Sequence, residues 1–350
     1  MKPFQSRTFQ SIIILGFVLL VCCVVPAQVP NPQPQSPAPT IQPSATPPVQ
    51  AVKLNVLVTD EADRFVGTLR QEDFRIEEDG AAQTITQFAR ERSPVSYAIV
   101  VDNSGSLRDL MGYIVRTAGS LVQANQPGDE TMIVRFVSSD NISVMQDFTA
   151  NQAALMKGLG AMYVEGGQTA VIDAVYISAA RVAEHRAGES GRRRALVLLT
   201  DGEDRSSYYK LTELQTLLRQ TGVQVFAIGW LQNLDEQEGF IRKSTRGQAT
   251  KLLDSLTQET GGRVFYPKNL QALIAAVAEI SNYLRTQYII GYQTTNASRD
   301  GKFRKVRVKL NESTSGAKHR VHARSGYFAP DAKGGVKTQS KEKSPRLRTQ

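Results

Sequence analysis

Cysteine is nearly absent from this 350-residue chain, and the two that occur, Cys22 and Cys23, both sit inside one apolar run over residues 12–25. Tryptophan occurs once, at Trp230, and histidine three times, at His185, His319 and His322. The apolar run is 14 residues long, short of the roughly 20 that a bilayer-spanning helix needs. It follows Lys2 and Arg7 with no acidic residue and precedes Val25-Pro26-Ala27, small or β-branched residues of the kind a signal peptidase reads. Residues 1–27 therefore read as a secretory signal, with a short uncleaved anchor as the alternative. A lipoprotein signal is disfavoured because Val21, not a small residue, precedes Cys22. Cleavage after Ala27 leaves an exported, cysteine-free protein, which excludes disulfides and thiolate chemistry. The expected location is secreted, periplasmic or cell-surface associated.

Charge is also scarcer in the body of the chain than the total suggests. The net charge is +9, but residues 1–27 carry +2 and residues 331–350 carry +4. The remainder is close to balanced, which weakens the nucleic-acid reading that a high pI invites. Its best carriers are Arg192-Arg193-Arg194, the alternate positions Lys305, Arg307 and Lys309, and the basic tail. No aromatic ladder accompanies them for bases to stack on. The tail from 330 to 350 has few large apolar residues, is expected to be disordered, and is suited at most to nonspecific contact with anionic surfaces.

Residues 28–51 hold eight prolines and no charge, the composition of an extended polyproline-like spacer. Beyond it, Val52, Leu54, Val56 and Val58 alternate in the period of a half-buried strand. Residues 74–78 and 83–88 read as two further strands around the Asp79-Gly80 turn. Residues 52–92 thus form a β segment too small to stand alone. From Pro94 the pattern becomes apolar strands (95–101, 132–137, 142–148, 195–200, 223–228, 263–266) alternating with helix-length segments (107–125, 169–187, 210–221, 249–260, 269–285). Strands that are apolar without alternation are buried on both faces. Residues 94–285 are therefore expected to be an α/β domain with a doubly wound, mostly parallel, Rossmann-like sheet. Strands at 287–292, 303–310 and 319–327 follow. The C-terminal segment 286–329 is expected to pack with 52–92 as a small β-sandwich into which the α/β domain is inserted.

Three strand ends carry the chemistry. Val101-Asp102-Asn103-Ser104-Gly105-Ser106 places an acid and two hydroxyls at alternate positions where strand gives way to helix, the place where open α/β sheets bind ligands. Leu199-Thr200-Asp201-Gly202 is a second such end, and Gly166-Gly167-Gln168-Thr169 delivers a hydroxyl at a helix start. Each string alone is equally the mark of a helix cap or a turn. Together they offer two carboxylates and three hydroxyls without His or Cys, a hard oxygen set suited to Mg²⁺, Mn²⁺ or Ca²⁺ and poor for zinc. An ion facing so few charges stays net positive and seeks an anionic oxygen from outside.

With Asp102, Ser104, Ser106, Thr169 and Asp201 in this order, the sequence resembles a von Willebrand factor A (VWFA) domain with a metal-ion-dependent adhesion site. The flanks, Asp73-Phe74 with Glu78-Asp79-Gly80, Gly301 to Lys305 and Arg324 to Tyr327, resemble a bacterial, acidobacterial-type family of secreted VWFA-related proteins. The resemblance implies that Ser104, Ser106 and Thr169 bind the ion, that Asp102 and Asp201 act directly or through water, and that an Asp or Glu of a protein partner completes the coordination. Asn103, Gly105, Gln168, Gly202 and Glu203 are then expected on the partner-binding face, with residues 231–247 as a specificity loop or plain connector.

Other readings use the same residues. A phosphatase-like hydrolase would use Asp102 as nucleophile, but the position two residues on, where haloacid-dehalogenase-like phosphatases usually carry a second acid, is Ser104. A serine hydrolase needs a positioned base, and none of the three histidines adjoins the strand-end motifs in sequence. No enzymatic activity is expected. The remaining alternative is a noncatalytic envelope scaffold with a structural metal site.

Overall fold

The computed structural model describes residues 50–189, 191–232, 234, 244–311, 318–331 and 347–349. The expected signal segment, nearly all of the proline-rich spacer, much of the 231–247 connector and most of the tail lie outside the described residues. Among the described residues no helix is long and apolar enough to cross a membrane.

The chain begins with strands β1 (Ala51–Thr59), β2 (Phe74–Glu78), β3 (Ala81–Gln83) and β4 (Ile85–Arg92), then β5 (Val95–Asp102). A short 3-10 segment, Gly105–Leu110, leads into α1 (Met111–Gln123). Next come β6 (Glu130–Phe136), β7 (Ile142–Thr149), α2 (Gln152–Gly160), α3 (Val171–Glu184), β8 (Arg193–Thr200), α4 (Leu211–Thr221) and β9 (Gln224–Gly229). The remainder is α5 (Thr245–Thr260), β10 (Val264–Phe265), α6 (Leu270–Arg285), β11 (Thr286–Gln293), β12 (Phe303–Leu310), β13 (Arg320–Ala323), β14 (Gly326–Phe328) and β15 (Arg348–Thr349).

The central sheet has the order β10-β9-β8-β5-β6-β7-β15, parallel except where β7 runs against β6. Every residue of β5 is buried, for the reason its unbroken apolar run implies. Tyr97, Ile99 and Val101 pack on one face with residues of α1, α2 and α6, and Ala98 and Val100 pack on the other with residues of α3, α4 and α5. The sheet is therefore sandwiched between two helical layers, and the carboxyl ends of β5 and β8 open between them.

The remaining strands build two four-stranded sheets, β13-β1-β11-β4 and β14-β12-β2-β3. Val52, Leu54, Val56 and Val58 of β1 share a core with Phe74, Ile76, Val306 and Tyr327 of the opposite sheet, which makes a β-sandwich. The α/β layer is inserted between two paired strands: Arg92 at the end of β4 lies opposite Thr286, the first residue of β11. The helix α6 runs straight into β11. At the heart of the sandwich Glu78, 2% exposed, accepts hydrogen bonds from Tyr292 Oη at 2.7 Å, Thr294 Oγ1 at 2.5 Å and Tyr327 Oη at 2.9 Å. One carboxylate thus joins both sheets.

Several elements differ from the sequence reading. The expected strand 83–88 is two strands in different sheets, because the chain turns the sandwich corner there, clipped by Gln83 to the Thr295 amide at 3.1 Å. The expected strand 319–327 is likewise divided into β13 and β14. The crossing residue Ser325 is tied to α5 by its amide on Glu259 O at 3.1 Å. Helix α2 was not foreseen, although Asn151 caps it by accepting from the Ala154 amide at 3.2 Å. The tail is not wholly unpaired: Arg348–Thr349 add to the exposed edge strand β7, whose free backbone groups invite such pairing, while Leu347 packs on the core.

Two outcomes follow from the sandwich. Tyr292→Phe removes a hydrogen bond to a buried carboxylate and is expected to lower the unfolding free energy in urea by about 1.5–3 kcal/mol; a loss below about 0.5 kcal/mol contradicts the assignment. His322 lies within 3.4 Å of Thr59 Oγ1, and its pKa is pushed down to about 4 from 6.5 by burial and by the Arg263 and Arg320 guanidiniums, against the opposing charge of Asp63. The depressed value means the unfolded chain takes up the proton first, so stability falls as pH drops from about 6.5 to about 4. His322→Gln is expected to flatten that part of the acid denaturation profile.

Candidate functional site

The parallel register of β5 with β8 sets Val101 beside Leu199, so both strands end at the same level with an acid just beyond each apolar run. Asp102 is fully buried. Its Oδ2 accepts from Thr200 Oγ1 at 2.6 Å and its Oδ1 from the Ser104 amide at 2.9 Å. Ser104 Oγ and Ser106 Oγ are 3.0 Å apart, and Ser106 Oγ donates to Asp201 Oδ2 at 2.6 Å. Asp201 Oδ1 accepts from the Glu203 amide at 3.0 Å. One continuous hydrogen-bonded chain therefore runs Thr200, Asp102, Ser104, Ser106, Asp201, joining the two buried strand ends through the exposed Ser106.

The fifth expected ligand, Thr169, is 3% exposed and is brought in by its backbone: its carbonyl accepts from the Arg205 amide at 2.8 Å and the Ser206 amide at 3.1 Å. The loop before α3 is also held from the other side. Asn103 donates from Nδ2 to Tyr163 O at 2.6 Å, and its carbonyl accepts from the Glu165 amide at 3.2 Å. Arg135, at the end of β6, binds Glu165 Oε2 at 2.8 Å and Tyr163 Oη at 3.1 Å.

Burial, and then the charge of Asp201, push the pKa of Asp102 up to about 7. Asp201 is raised as well, by burial first and then by the charge of Glu203. Two nearby carboxylates that each resist ionisation in this way are neutralised by a shared proton or by a bound positive charge. The structure gathers two carboxylates and the hydroxyls of Ser104 and Ser106, an all-oxygen set of the kind that suits a hard divalent cation, while Thr169 is placed in the adjoining loop by its carbonyl. Among the described residues no group of three or more His, Cys, Asp or Glu side chains is gathered to hold a metal; the candidate site draws instead on hydroxyls.

The expected partner-binding positions divide. Gly105 and Gln168 are exposed beside the site. Asn103 and Gly202 are buried, and Glu203 is 9% exposed and paired with Arg205 Nη2 at 2.7 Å. These three hold loops in place instead of presenting groups to solvent. Asn103 points inward because the residue after Asp102 continues the strand and donates its amide to Phe136 O at 2.9 Å. Sequence reasoning named Thr200 only as a strand residue, yet its hydroxyl also accepts from the Gly202 amide at 2.9 Å. A hydroxyl at the buried end of an apolar strand was the available signal.

A mostly parallel sheet between two helical layers, with an acid-and-hydroxyl cluster at the carboxyl ends of adjacent strands, defines an α/β domain of the doubly wound class. Residues 98–279 match the von Willebrand factor type A domain family, and the chain belongs to it. Among solved structures the chain is similar to an aerotolerance-related membrane protein from Bacteroides fragilis, at 17% identity and a TM-score of 0.41, over 54% of this chain and 98% of that one. It is also similar to a von Willebrand factor type A protein from Catenulispora acidiphila, at 14% identity and a TM-score of 0.44, over 76% and 75% of the two chains. A third is proximal thread matrix protein 1 from the mussel byssus, at 17% identity and a TM-score of 0.42, over 56% and 49%. No curated protein matches the chain.

Gly202 makes the site sensitive to a single methyl group. Its φ is +79°, and a Cβ there would lie 3.0 Å from Ala249 Cβ and 3.1 Å from Leu253 Cδ1. Gly202→Ala is expected to cost about 1–3 kcal/mol in urea unfolding; an unchanged midpoint contradicts the tight packing of this loop on α5.

Proposed function

We propose that the protein is an exported binding protein, with Asp102, Ser104, Ser106, Thr169 and Asp201 holding a divalent cation, Mg²⁺ or the similar Mn²⁺ or Ca²⁺. The observation that carries this reading is the hydrogen-bonded chain of two buried carboxylates and two serines that reaches the surface at the exposed Ser106. The hydroxyls leave the ion's charge largely uncompensated, and when bound it supplies a positive site for an Asp or Glu carboxylate of a protein partner. Ser106, Gly105 and Gln168, all exposed, form the part of the rim that such a carboxylate meets. The family supports a protein-interaction role. Export rests on the basic and apolar leader over residues 1–27.

The same geometry argues against the hydrolase alternative. Asp102 is enclosed and both its oxygens accept hydrogen bonds, an arrangement that holds a carboxylate still and does not expose it for attack on a phosphorus. His185 pairs with Glu130 at 2.9 Å and His322 lies on β13 beside Thr59, Arg263 and Asp63, so neither is a base for the serines. Two of the basic residues that favoured nucleic acid are engaged in ion pairs: Arg192 binds Glu189 at 2.9 Å, and Lys309 binds Glu77 at 2.7 Å.

Titration calorimetry with Mg²⁺ or Mn²⁺ is the test. The wild type is expected to bind, and Asp102→Ala and Ser106→Ala to bind at least about ten-fold more weakly. At a cation concentration 100 times the dissociation constant the folded state gains about 2.7 kcal/mol, visible as a raised melting temperature. Equal binding by wild type and Asp102→Ala contradicts the metal site. Partner capture that persists in EDTA contradicts the proposed use of the ion.

A further inference from the structure

Behind the candidate ligands lie two further carboxylates, Asp173 and Asp204, that the reading above leaves without a role. Asp173 stands in the first turn of α3, four residues after Thr169, and is fully buried. Its Oδ1 accepts from the Tyr209 amide at 2.8 Å, and its Oδ2 accepts from the Tyr208 amide at 2.7 Å and from Ser139 Oγ. Asp204 Oδ1 accepts from the Ile172 amide at 3.0 Å and from Ser207 Oγ at 2.5 Å, while Ser207 Oγ accepts from the Asp173 amide at 3.2 Å. An acid against the first turn of a helix is also favoured by the helix dipole.

The topology gives these bonds their consequence. In the sheet β5 lies between β8 and β6. Tyr208 and Tyr209 follow β8, and Ser139 follows β6. Asp173 therefore ties together loops from both neighbours of the strand that carries Asp102, Ser104 and Ser106. The Thr169 segment belongs to no strand, so the sheet ladder does not set its position. Besides the packing of α3 on the sheet, it is joined to the loop that bears Asp201 by cross-links: Thr169 O to the Arg205 and Ser206 amides, Gln168 O to Ser206 Oγ at 2.8 Å, and the two aspartates.

We propose that Asp173, assisted by Asp204, is a positioning residue of the ion site, binding the loop that bears Asp201 and the helix start that bears Thr169 into one body. This rests on the ion-site reading, since it concerns how the two halves of that ligand set are kept in register. Three donors converge on the Asp173 carboxylate, and an asparagine of the same size must turn its own NH₂ donor toward at least one of them or leave that donor unpaired. Partners of this kind behind a metal ligand typically contribute ten-fold or more in affinity.

The test is amide hydrogen exchange on metal-free wild type and Asp173→Asn, with Mn²⁺ titration calorimetry on both. In Asp173→Asn, exchange at residues 168–172 and 201–207 is expected to quicken at least ten-fold while β5 and the sandwich stay protected, and Mn²⁺ affinity is expected to fall at least ten-fold. Should Asp173→Asn not fold, Ser139→Ala and Asp204→Asn are expected to give the same pattern with a several-fold loss. Unchanged exchange in both loops, or wild-type Mn²⁺ affinity despite faster exchange, overturns the positioning role. A wild type that takes up no Mn²⁺ overturns the ion-site reading itself, a separate and distinguishable result.

Discussion

The pairing register of β5 with β8 brings two acids together at a buried point where both are costly to ionise, and much of the site's construction serves to hold them there. A carboxylate enclosed as completely as Asp102 is tolerated only with donors on both oxygens, and Thr200 and the Ser104 amide supply them. Asp201 receives Ser106 Oγ and the Glu203 amide. These bonds orient the acids without bringing any cationic side chain onto either carboxylate, which is the feature the proposed cation would answer. The left-handed turn at Gly202, packed against Ala249 and Leu253, lets the chain leave β8 without moving Asp201 away from Ser106.

Beyond the site, the fold divides its work between two bodies that share a junction. The sandwich closes around Glu78 and its three hydroxyl donors, and β4 and β11 pair at the point where the α/β layer departs and returns. A second tie comes from the turn after β1: Asp63 pairs with Arg263 at 2.8 Å and accepts, at its carbonyl, a hydrogen bond from Tyr283 of α6. The inserted layer is thus anchored at its base, while the ligand-bearing loops lie at the opposite, carboxyl end of β5. The junction with the sandwich and the candidate site thus lie at different ends of the same strands.

The architecture was legible wherever burial dictates composition. Unbroken apolar runs named the parallel strands, alternation named β1 and β12, and the Asp79-Gly80 turn, with φ of 48° and 88°, named the hairpin between β2 and β3. What stayed hidden depended on three-dimensional direction. Nothing local to residues 83–88 announces that the chain changes sheets at Thr84, because each half still reads as strand. Asn103 looked like a rim residue because it lies between two candidate ligands in sequence, but its amide bonds Phe136 O and its side chain bonds Tyr163 O, which turns it inward. Asp173 and Asp204 carry no motif that marks them in the sequence, and their hydrogen bonds form only when the loops after β6 and β8 meet the start of α3.

The central claim is that the five oxygens form one cation site whose open side faces solvent. Anomalous diffraction from crystals grown with Mn²⁺ tests it most directly. The account predicts a single strong peak within about 2.0–2.6 Å of Ser104 Oγ and Ser106 Oγ, the range of hard-cation oxygen bonds, with solvent or a neighbouring carboxylate on its outer side. No peak between Asp102 and Asp201, in crystals where those residues are ordered, would contradict it.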